Sequence, residues 1–331
     1  IFYLLKKYTF FLKIICYSVY VSIAIVLFDS LIQYFFGVNL IGYERVGAFD
    51  SPDMLYLTGF FNDEKKLGSY LVRFIPLLLS LIYFTKNKIS VAYELIILSF
   101  LAFAIFLSSE RTALFLLFLI FLFYFLMFNK KFYFLLFIIS LWGTLFYTFS
   151  ETRLVKKYVN FTLQQIGIDF LISKNENQNK LIRYYSEEHE NLTYTGLIIF
   201  KENYFFGSGV KTFYQKCDKL KKDKIIKSNK RDNKLVCSTH AHNTYIQILS
   251  EVGFFGFLLI IFLFIKVFYK NLIMIFKKKK DNLDKAYFFI NLSLIINLWP
   301  LIPSGSFFNN WMCLMMFFPL GFWLYIKDYS K

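Results

Sequence analysis

Histidine, cysteine and proline are scarce in this chain of 331 residues, which has three histidines, four cysteines and five prolines. Four cysteines are too few for the disulfide framework of a small secreted protein. One bridge between Cys217 and Cys237 remains compatible with an oxidising compartment, because both lie in one polar stretch. His240 and His242 are close in sequence, but no further Cys, His or Asp has the spacing of metal ligands, so a metal site is disfavoured.

Acidic residues are also few, and 22 of them against 38 lysines and arginines give a net charge of +16. In an apolar chain, lysine more often marks cytoplasmic loops and contacts with anionic lipid than nucleic-acid binding, which we therefore disfavour. The most basic segment, 211–234, is either a solvated loop or a collar that attracts anionic lipid. The Gly207-Ser208-Gly209 sequence lacks the pattern of a nucleotide-binding loop and predicts a turn.

Hydrophobic residues make up 57% of the chain and aromatic residues 22%, with a mean hydropathy of +0.49, which is too apolar for a soluble domain of this size. Segments near the length of a membrane-crossing helix recur, so the fold class predicted is an all-α polytopic membrane protein with a helical loop subdomain. About eight spans are predicted, at residues 8–28, 67–84, 89–107, 113–128, 132–149, 245–269, a seventh ending at 299–300, and 311–326.

The spans predict three consecutive ranges: an N-terminal bundle of five spans (1–150), a large polar loop (151–244) and a C-terminal bundle of three spans (245–331). Lysines cluster at alternate span ends, and cytoplasmic loops are the ones enriched in positive charge, so the large loop is predicted to be extracytoplasmic. Because the chain begins with Ile and not Met, we expect it to be part of a longer protein with further spans upstream.

The stretch from Cys237 to Gly256, CSTHAHNTYIQILSEVGFFG, places two histidines directly before a long apolar segment. Two helix starts fit it: Thr244 and Gln247 have the spacing of a capping box, and Asn243 is an alternative N-cap. In either case His242 lies at the mouth of a helix, where free N–H groups favour an anion. His242 is thus a candidate general base, although a loop histidine is also commonly structural or solvated.

Three arginines are candidates for binding a phosphorylated lipid, since the planar guanidinium group suits bidentate contact with phosphate oxygens. Arg73 lies roughly one to two turns inside an apolar segment, where it either serves a function or snorkels to the headgroups. Arg111, in a short turn, either binds an anion, pairs with Glu110 or contacts a lipid headgroup. Arg183 lies in the polar loop, where arginine is commonly solvated.

These motifs resemble those of the O-antigen ligase and polymerase superfamily, which are bacterial envelope glycosyltransferases. His242-Asn243, nine further residues and then Gly253-Phe-Phe-Gly256 match the ligase pattern His-Asn/Ser/Gln, nine residues, Gly-x-x-Gly in full. Other passages are similar to a Gly-Ser-Tyr-Leu-x-Arg segment, a Ser-x-x-Arg turn and a loop that ends in a Gly-x-Gly-x-x-x-Phe turn and a Cys. In this chain they are 68–73, 108–111 and the passage from Arg183 through Gly207 and Gly209 to Cys217.

The resemblance implies a multi-pass glycosyltransferase of the bacterial inner membrane, with its catalytic loops in the periplasm. It implies an inverting-type transfer that needs no metal and no cofactor, from a glycan donor on undecaprenyl diphosphate. His242 would deprotonate or orient the acceptor hydroxyl. Arg111 and Arg183, with Arg73 as a third, would hold the leaving diphosphate. The remaining residues that it implicates are Asn243 and His240 in substrate binding, and Gly207, Gly209, Gly253 and Gly256 in the structure of the motifs.

Three functions stay open on the sequence. A ligase passes the glycan to lipid A–core, whereas a polymerase adds it to another carrier-linked repeat, with the same donor and nearly the same chemistry. A transporter of lipid-linked glycan would also use intramembrane arginine to bind a diphosphate, and it predicts inverted repeats, which are not evident here.

Overall fold

A computed structural model describes residues 1–8, 10–48, 51–85, 90–127, 131–150, 155, 158, 187–222 and 237–329. These residues are mainly helical, with one two-stranded antiparallel sheet formed by β1 (Val46–Ala48) and β2 (Ser51–Tyr56). The helices in chain order are α1 (Phe2–Lys7), α2 (Phe10–Phe36), α3 (Leu67–Phe84), α4 (Val91–Leu107), α5 (Arg111–Met127), α6 (Lys131–Thr148), α7 (Glu187–Glu202), α8 (Phe213–Lys222), α9 (Thr244–Glu251), α10 (Gly253–Phe276), α11 (Asn282–Asn297) and α12 (Asn310–Tyr329).

Among the described residues, three helices are long and apolar enough to cross a membrane, namely α2, α3 and α10. Helices α4 and α5 and most of α6 are apolar but shorter. The expectation of an all-α integral membrane protein is therefore confirmed, while the count of about eight spans stays a prediction. Part of the predicted orientation depends on Lys86, Lys88, Lys130 and Lys331, which lie outside the described residues.

The first span is longer than predicted, because the polar residues at its end belong to the helix. Asp29 was expected to begin a loop, but α2 continues to Phe36 and Asp29 is fully buried. Its carboxylate accepts hydrogen bonds from the backbone N–H of Leu40 at 2.9 Å and the side-chain amide of Asn39 at 3.2 Å. The prediction was wrong because buried polar side chains in α2 bind the following loop, so their polarity does not mark exposure.

The sixth span was predicted as one helix over 245–269, and this was also wrong. The segment is two helices, α9 and α10, separated at Val252. Gly253 has a positive φ of 84°, and the Phe254 N–H donates to the carbonyl of Tyr204 at 2.8 Å. An external partner for this N–H, together with the left-handed backbone that glycine permits, interrupts the helix.

The chain divides into two compact units, which are discontinuous in sequence. Unit 1 comprises Ile1–Tyr158, Val267–Asn297 and Phe317–Lys331. Its central helix is α3, in which every residue over 71–83 is buried and which packs mainly against α11 and also against α4 and α5. A helix that is apolar on all sides is stable only when other helices pack around it. The three consecutive ranges expected from the sequence stay a prediction.

Unit 2 comprises Val159–Lys266 and Leu298–Met316. In it α7 packs against α9 and α8, around a small apolar core of Leu192, Ile199, Phe213, Leu220 and Ala241. A disulfide joins Cys217 on α8 to Cys237, with a Cα–Cα distance of 5.5 Å. The bond ties α8 to the residues that precede α9, which carry the histidines.

Candidate active site

Helix α9 begins at Thr244 because Asn243 caps it. The side-chain oxygen of Asn243 accepts from the backbone N–H of Tyr245 at 3.0 Å and of Ile246 at 3.2 Å. Asn243 is therefore the N-cap, and the predicted capping box of Thr244 and Gln247 was wrong. His242 is the residue before the cap and has a positive φ of 52°.

A loop of the same unit, 300–307, holds the first turns of α9 through polar contacts. The Asn243 side-chain amide donates to the carbonyl of Pro300 at 2.9 Å, and the Ser304 N–H donates to the carbonyl of His242 at 2.8 Å. Gln247 accepts from the Phe307 N–H at 2.8 Å, and its amide donates to Ser306 Oγ at 3.0 Å. Gln247 thus anchors this loop, a role that sequence reasoning missed because its partners are about 60 residues away.

All three histidines of the chain meet in unit 2. The ring centroid of His242 lies 4.1 Å from that of His240 and 5.7 Å from that of His189 on α7. We call these three residues and Asn243 the histidine region. His189 lies more than 50 residues upstream, and the motif that contains His240 and His242 does not include it.

The ring of His240 is held in one tautomer. Its Nε2 lies 3.2 Å from the carbonyl oxygen of Ser304, which can only accept, so Nε2 carries the proton. Nδ1 is then an acceptor, and the Thr239 hydroxyl lies 2.9 Å from it. With both ring nitrogens engaged, His240 orients the loop before α9.

His242 is half-buried and its Nε2 lies 3.2 Å from Ser238 Oγ. Burial lowers the pKa of His242 below its ordinary value, while the negative charge of Glu188 opposes the shift. Burial, followed by the repulsion from His242, lowers the pKa of His240 to about 4. Both imidazoles are therefore neutral at neutral pH, the form in which a histidine can accept a proton.

The glycines of the motif allow two backbones to approach closely. Gly207 and Gly253 both have positive φ, and a Cβ on either would overlap backbone atoms of the other segment, at Glu251 and Phe205 respectively. Across this contact the Ser208 N–H donates to the carbonyl of Ser250 at 2.9 Å. Gly256 faces Val252 of the preceding turn. The Gly207 and Gly253 positions thus serve to fasten the turn after α7 to the end of α9.

Glu251 is a buried carboxylate that sequence reasoning did not select. It accepts from the backbone N–H of Lys211 at 3.0 Å and of Phe213 at 3.3 Å, and from the Gln247 amide at 3.2 Å. Burial raises the pKa of its carboxyl, although these donors oppose the shift. The contact with Phe213 satisfies a free N–H at the start of α8, so Glu251 joins the end of α9 to the start of α8.

In unit 1 the two arginine motifs interlock. Gly68 has no room for a Cβ, which would overlap Ser108 Oγ. The Glu110 carboxylate accepts from the N–H of Gly68 at 2.6 Å and of Ser69 at 3.0 Å, which are free donors at the start of α3. Arg111 follows directly as the first residue of α5. We use the name arginine region for the following residues: Gly68, Ser69, Arg73, Ser108, Glu110 and Arg111.

Arg73 is only 3% exposed, and its Nη1 donates to the carbonyl of Ser69 at 3.1 Å. Tyr158, also buried, donates to the carbonyl of Phe106 at 2.7 Å. Burial and the nearby Glu110 carboxylate raise the pKa of Tyr158, while the Arg111 guanidinium opposes the shift. Tyr158 is therefore a neighbour of Arg111 that no sequence motif indicated.

Arg183, the remaining predicted arginine, lies outside the described residues. Arg111 and His242 belong to different units, so the expectation that they share one substrate stays a prediction. Within the part of the chain that the structure describes, no group of three His, Cys, Asp or Glu could hold a metal ion.

The comparison with known proteins supports a family assignment. No curated protein matches the chain significantly. Residues 96–261, half of the chain, match the model of the O-antigen ligase family, and the matched range holds Arg111, all three histidines and both glycine motifs. The chain therefore belongs to the O-antigen ligase family.

Proposed function

We propose that this protein is a ligase-type glycosyltransferase that moves a glycan from undecaprenyl diphosphate to lipid A–core. It acts at the periplasmic face of the bacterial inner membrane, through a chain of about eight spans. The observation that carries the proposal is a neutral, half-buried His242 held at the mouth of α9 by its capped start.

In the proposed reaction His242 is the general base. It takes the proton of the acceptor hydroxyl as that oxygen bonds to the anomeric carbon of the donor sugar. The bond between that carbon and the diphosphate oxygen breaks, and its electron pair leaves with the diphosphate. His242 then carries the proton, and Glu188, whose charge already favours the protonated ring, stabilises it until it passes to water.

The leaving group needs positive charge more than it needs a proton, because a diphosphate is stable as an anion. We assign this role to Arg111 and Arg183, with Arg73 as the third. Arg73 is deeply buried and contacts the first turn of α3, so it acts more as a fixed charge than as a mobile clamp. His240 and Asn243 both contact the loop 300–307 and support substrate binding by holding His242 in place.

The Cys217–Cys237 disulfide supports a periplasmic location for unit 2. Structural disulfides persist in oxidising compartments such as the periplasm and are rare in the cytosol. The reaction is proposed to proceed without a metal, with the arginines supplying the charge that a metal would otherwise provide.

The test is a reaction of the purified protein with carrier-linked glycan and two defined acceptors, lipid A–core and a carrier-linked repeat. Transfer to lipid A–core alone supports the ligase, and transfer to the carrier-linked repeat alone would assign the protein as a polymerase. If neither product forms while the lipid moves between leaflets of a vesicle, the protein is a transporter and the proposal is wrong.

A further inference from the structure

Five aromatic side chains of unit 2 form an exposed cluster next to the motif glycines, which we call the aromatic wedge: Tyr204, Phe205, Phe206, Phe254 and Phe255. Phe206 is 80% exposed and Phe205 is 61% exposed. Both rings lie against Phe255, with centroid distances of 5.8 Å and 5.9 Å. Side chains of this size and exposure mark a contact with another apolar phase or molecule.

The wedge is continuous with a membrane-crossing helix. Phe254 and Phe255 lie in the first turn of α10, a 24-residue helix that is long and apolar enough to cross a membrane. Since Phe205 and Phe206 contact Phe255, they reach the level at which α10 enters the bilayer. Tyrosine is enriched at that boundary, and phenylalanine is common on the apolar face of segments that lie in it.

Hydrogen bonds hold the wedge in place. The Phe254 N–H donates to the carbonyl of Tyr204 at 2.8 Å, and the Gly209 N–H donates to the carbonyl of Glu251 at 2.9 Å. The turn that carries Phe205 and Phe206 is therefore fixed to the junction of α9 and α10. It cannot leave the membrane boundary without breaking these bonds and the close contact of Gly207 with Glu251.

The adjacent helix α8 has the charge expected beside a lipid surface. Phe213, Cys217 and Leu220 are buried, so one face of α8 is used for packing inside unit 2. The exposed residues include Lys219, Lys221 and Lys222, the last paired with Asp218. These lysines lie in the last turn of α8, and a basic helix face favours contact with anionic lipid headgroups.

We propose that the aromatic wedge inserts into the interfacial layer of the bilayer and sets the depth of α9, whose other end carries His242. Helix α9 has eight residues and is about 12 Å long at a rise of 1.5 Å per residue, so the wedge and the base are its two ends. The partner is the bilayer itself, on the side where α10 enters it. The inference depends on α10 crossing the membrane and not on glycan transfer, so the two proposals can fail separately.

The test measures the membrane depth of residue 206 with tryptophan fluorescence. Phe206→Trp and, as a matched control, Leu197→Trp are reconstituted into vesicles of brominated phosphatidylcholine with anionic phosphatidylglycerol. Leu197 is an exposed apolar residue on α7 outside the wedge. The unsubstituted protein supplies the background from its four native tryptophans. Because interfacial insertion reaches about 5–10 Å, we expect roughly threefold stronger quenching at 206 than at 197.

Equal quenching at the two positions would overturn the proposal. So would quenching at 206 that disappears when a polyprenyl diphosphate is added, because the wedge would then hold the carrier chain and not the bilayer. Phe205→Trp is the second reporter if Phe206→Trp does not accumulate, and the same two outcomes apply to it. Its expected quenching is lower, since Phe205 is less exposed than Phe206.

Discussion

The arginine region and the histidine region are built with the same device but carry different chemistry. In both places a glutamate accepts backbone N–H groups at the start of a helix: the half-buried Glu110 at α3 in the arginine region, and the buried Glu251 at α8, at the other end of α9 from the histidine region. A glycine permits the close approach at both places, Gly68 beside Glu110 and Gly207 beside Glu251. Both glutamates therefore hold backbone segments together, and under the proposed function the arginines of one region and the histidine of the other act on the substrate.

The two regions differ in whether their basic side chains stay charged when they are buried. Arg111 and Arg73 keep their charge because the guanidinium group does not lose its proton in proteins. The histidines lose theirs, because burial lowers the pKa of both His240 and His242. A fixed cation suits a leaving diphosphate, and a neutral imidazole suits a hydroxyl that must lose its proton. The predictions below test this division.

The largest effect is expected for His242→Ala, which removes the base. General-base catalysis contributes about 10²–10⁴-fold, so transfer should fall by that factor. His242→Asn is the matched variant, because asparagine accepts the positive φ of 52° at this position but cannot act as a base. Both variants should reach the membrane at normal abundance. Loss of the protein from the membrane, in place of lost transfer, would show that His242 is structural.

Arg111→Lys tests whether the arginine region needs the bidentate guanidinium group or only a positive charge. A charge-assisted hydrogen bond contributes about 1.5–3 kcal/mol, so replacing the bidentate group should lower the transfer rate about 10- to 100-fold. Arg45→Lys, the same change elsewhere in unit 1, is the control and should transfer at the normal rate. A normal rate for Arg111→Lys would remove Arg111 from the diphosphate site.

Gly253→Ala should act on stability and not on the chemistry. The added Cβ would overlap the carbonyl of Phe205, and the backbone there has a positive φ, so we expect a loss of about 1–3 kcal/mol. Thermal unfolding in detergent measures it. Gly143→Ala is the control, because nothing lies within 4 Å of its Cβ and alanine favours a helix. An unchanged melting temperature for Gly253→Ala would contradict the interlock.

The smallest effect is expected for the acid limb of the pH–rate profile. A base with a lowered pKa stays neutral as the pH falls, so transfer should persist below the ordinary histidine value of about 6.5. Glu188→Gln removes a negative charge that favours the protonated ring, so the limb should move to still lower pH. His189 and His240, the other titratable rings beside His242, stay unchanged in this variant. A limb that moves to higher pH would be contrary to the role of Glu188.

The sequence was most informative where a motif acts locally. Asn243 was recognised as one of two candidate helix caps, because its partners are two and three residues away. Asp29 and the break at Val252 were misjudged, since the side chain of the first and the helix at the second are set by distant backbone groups. Periodicity alone carries no signal of such partners.

The same limit explains what was missed in the site. Glu110 was considered only as a partner of Arg111 and Glu251 was given no role, because a carboxylate that accepts distant backbone N–H groups and a solvated one look alike in a sequence. His189 joins His242 only through the packing of α7 against α9. Long-range pairing of this kind follows from the tertiary fold and not from local pattern.

The covalent bond between Cys217 and Cys237 ends one residue before Ser238, whose hydroxyl lies beside the His242 ring. A reductant that opened this bond would release the ends of a segment with a sequence separation of 20 and loosen the serine without touching the imidazole. The redox state of the compartment is thereby linked to the position of the His242 ring, which contains no sulfur.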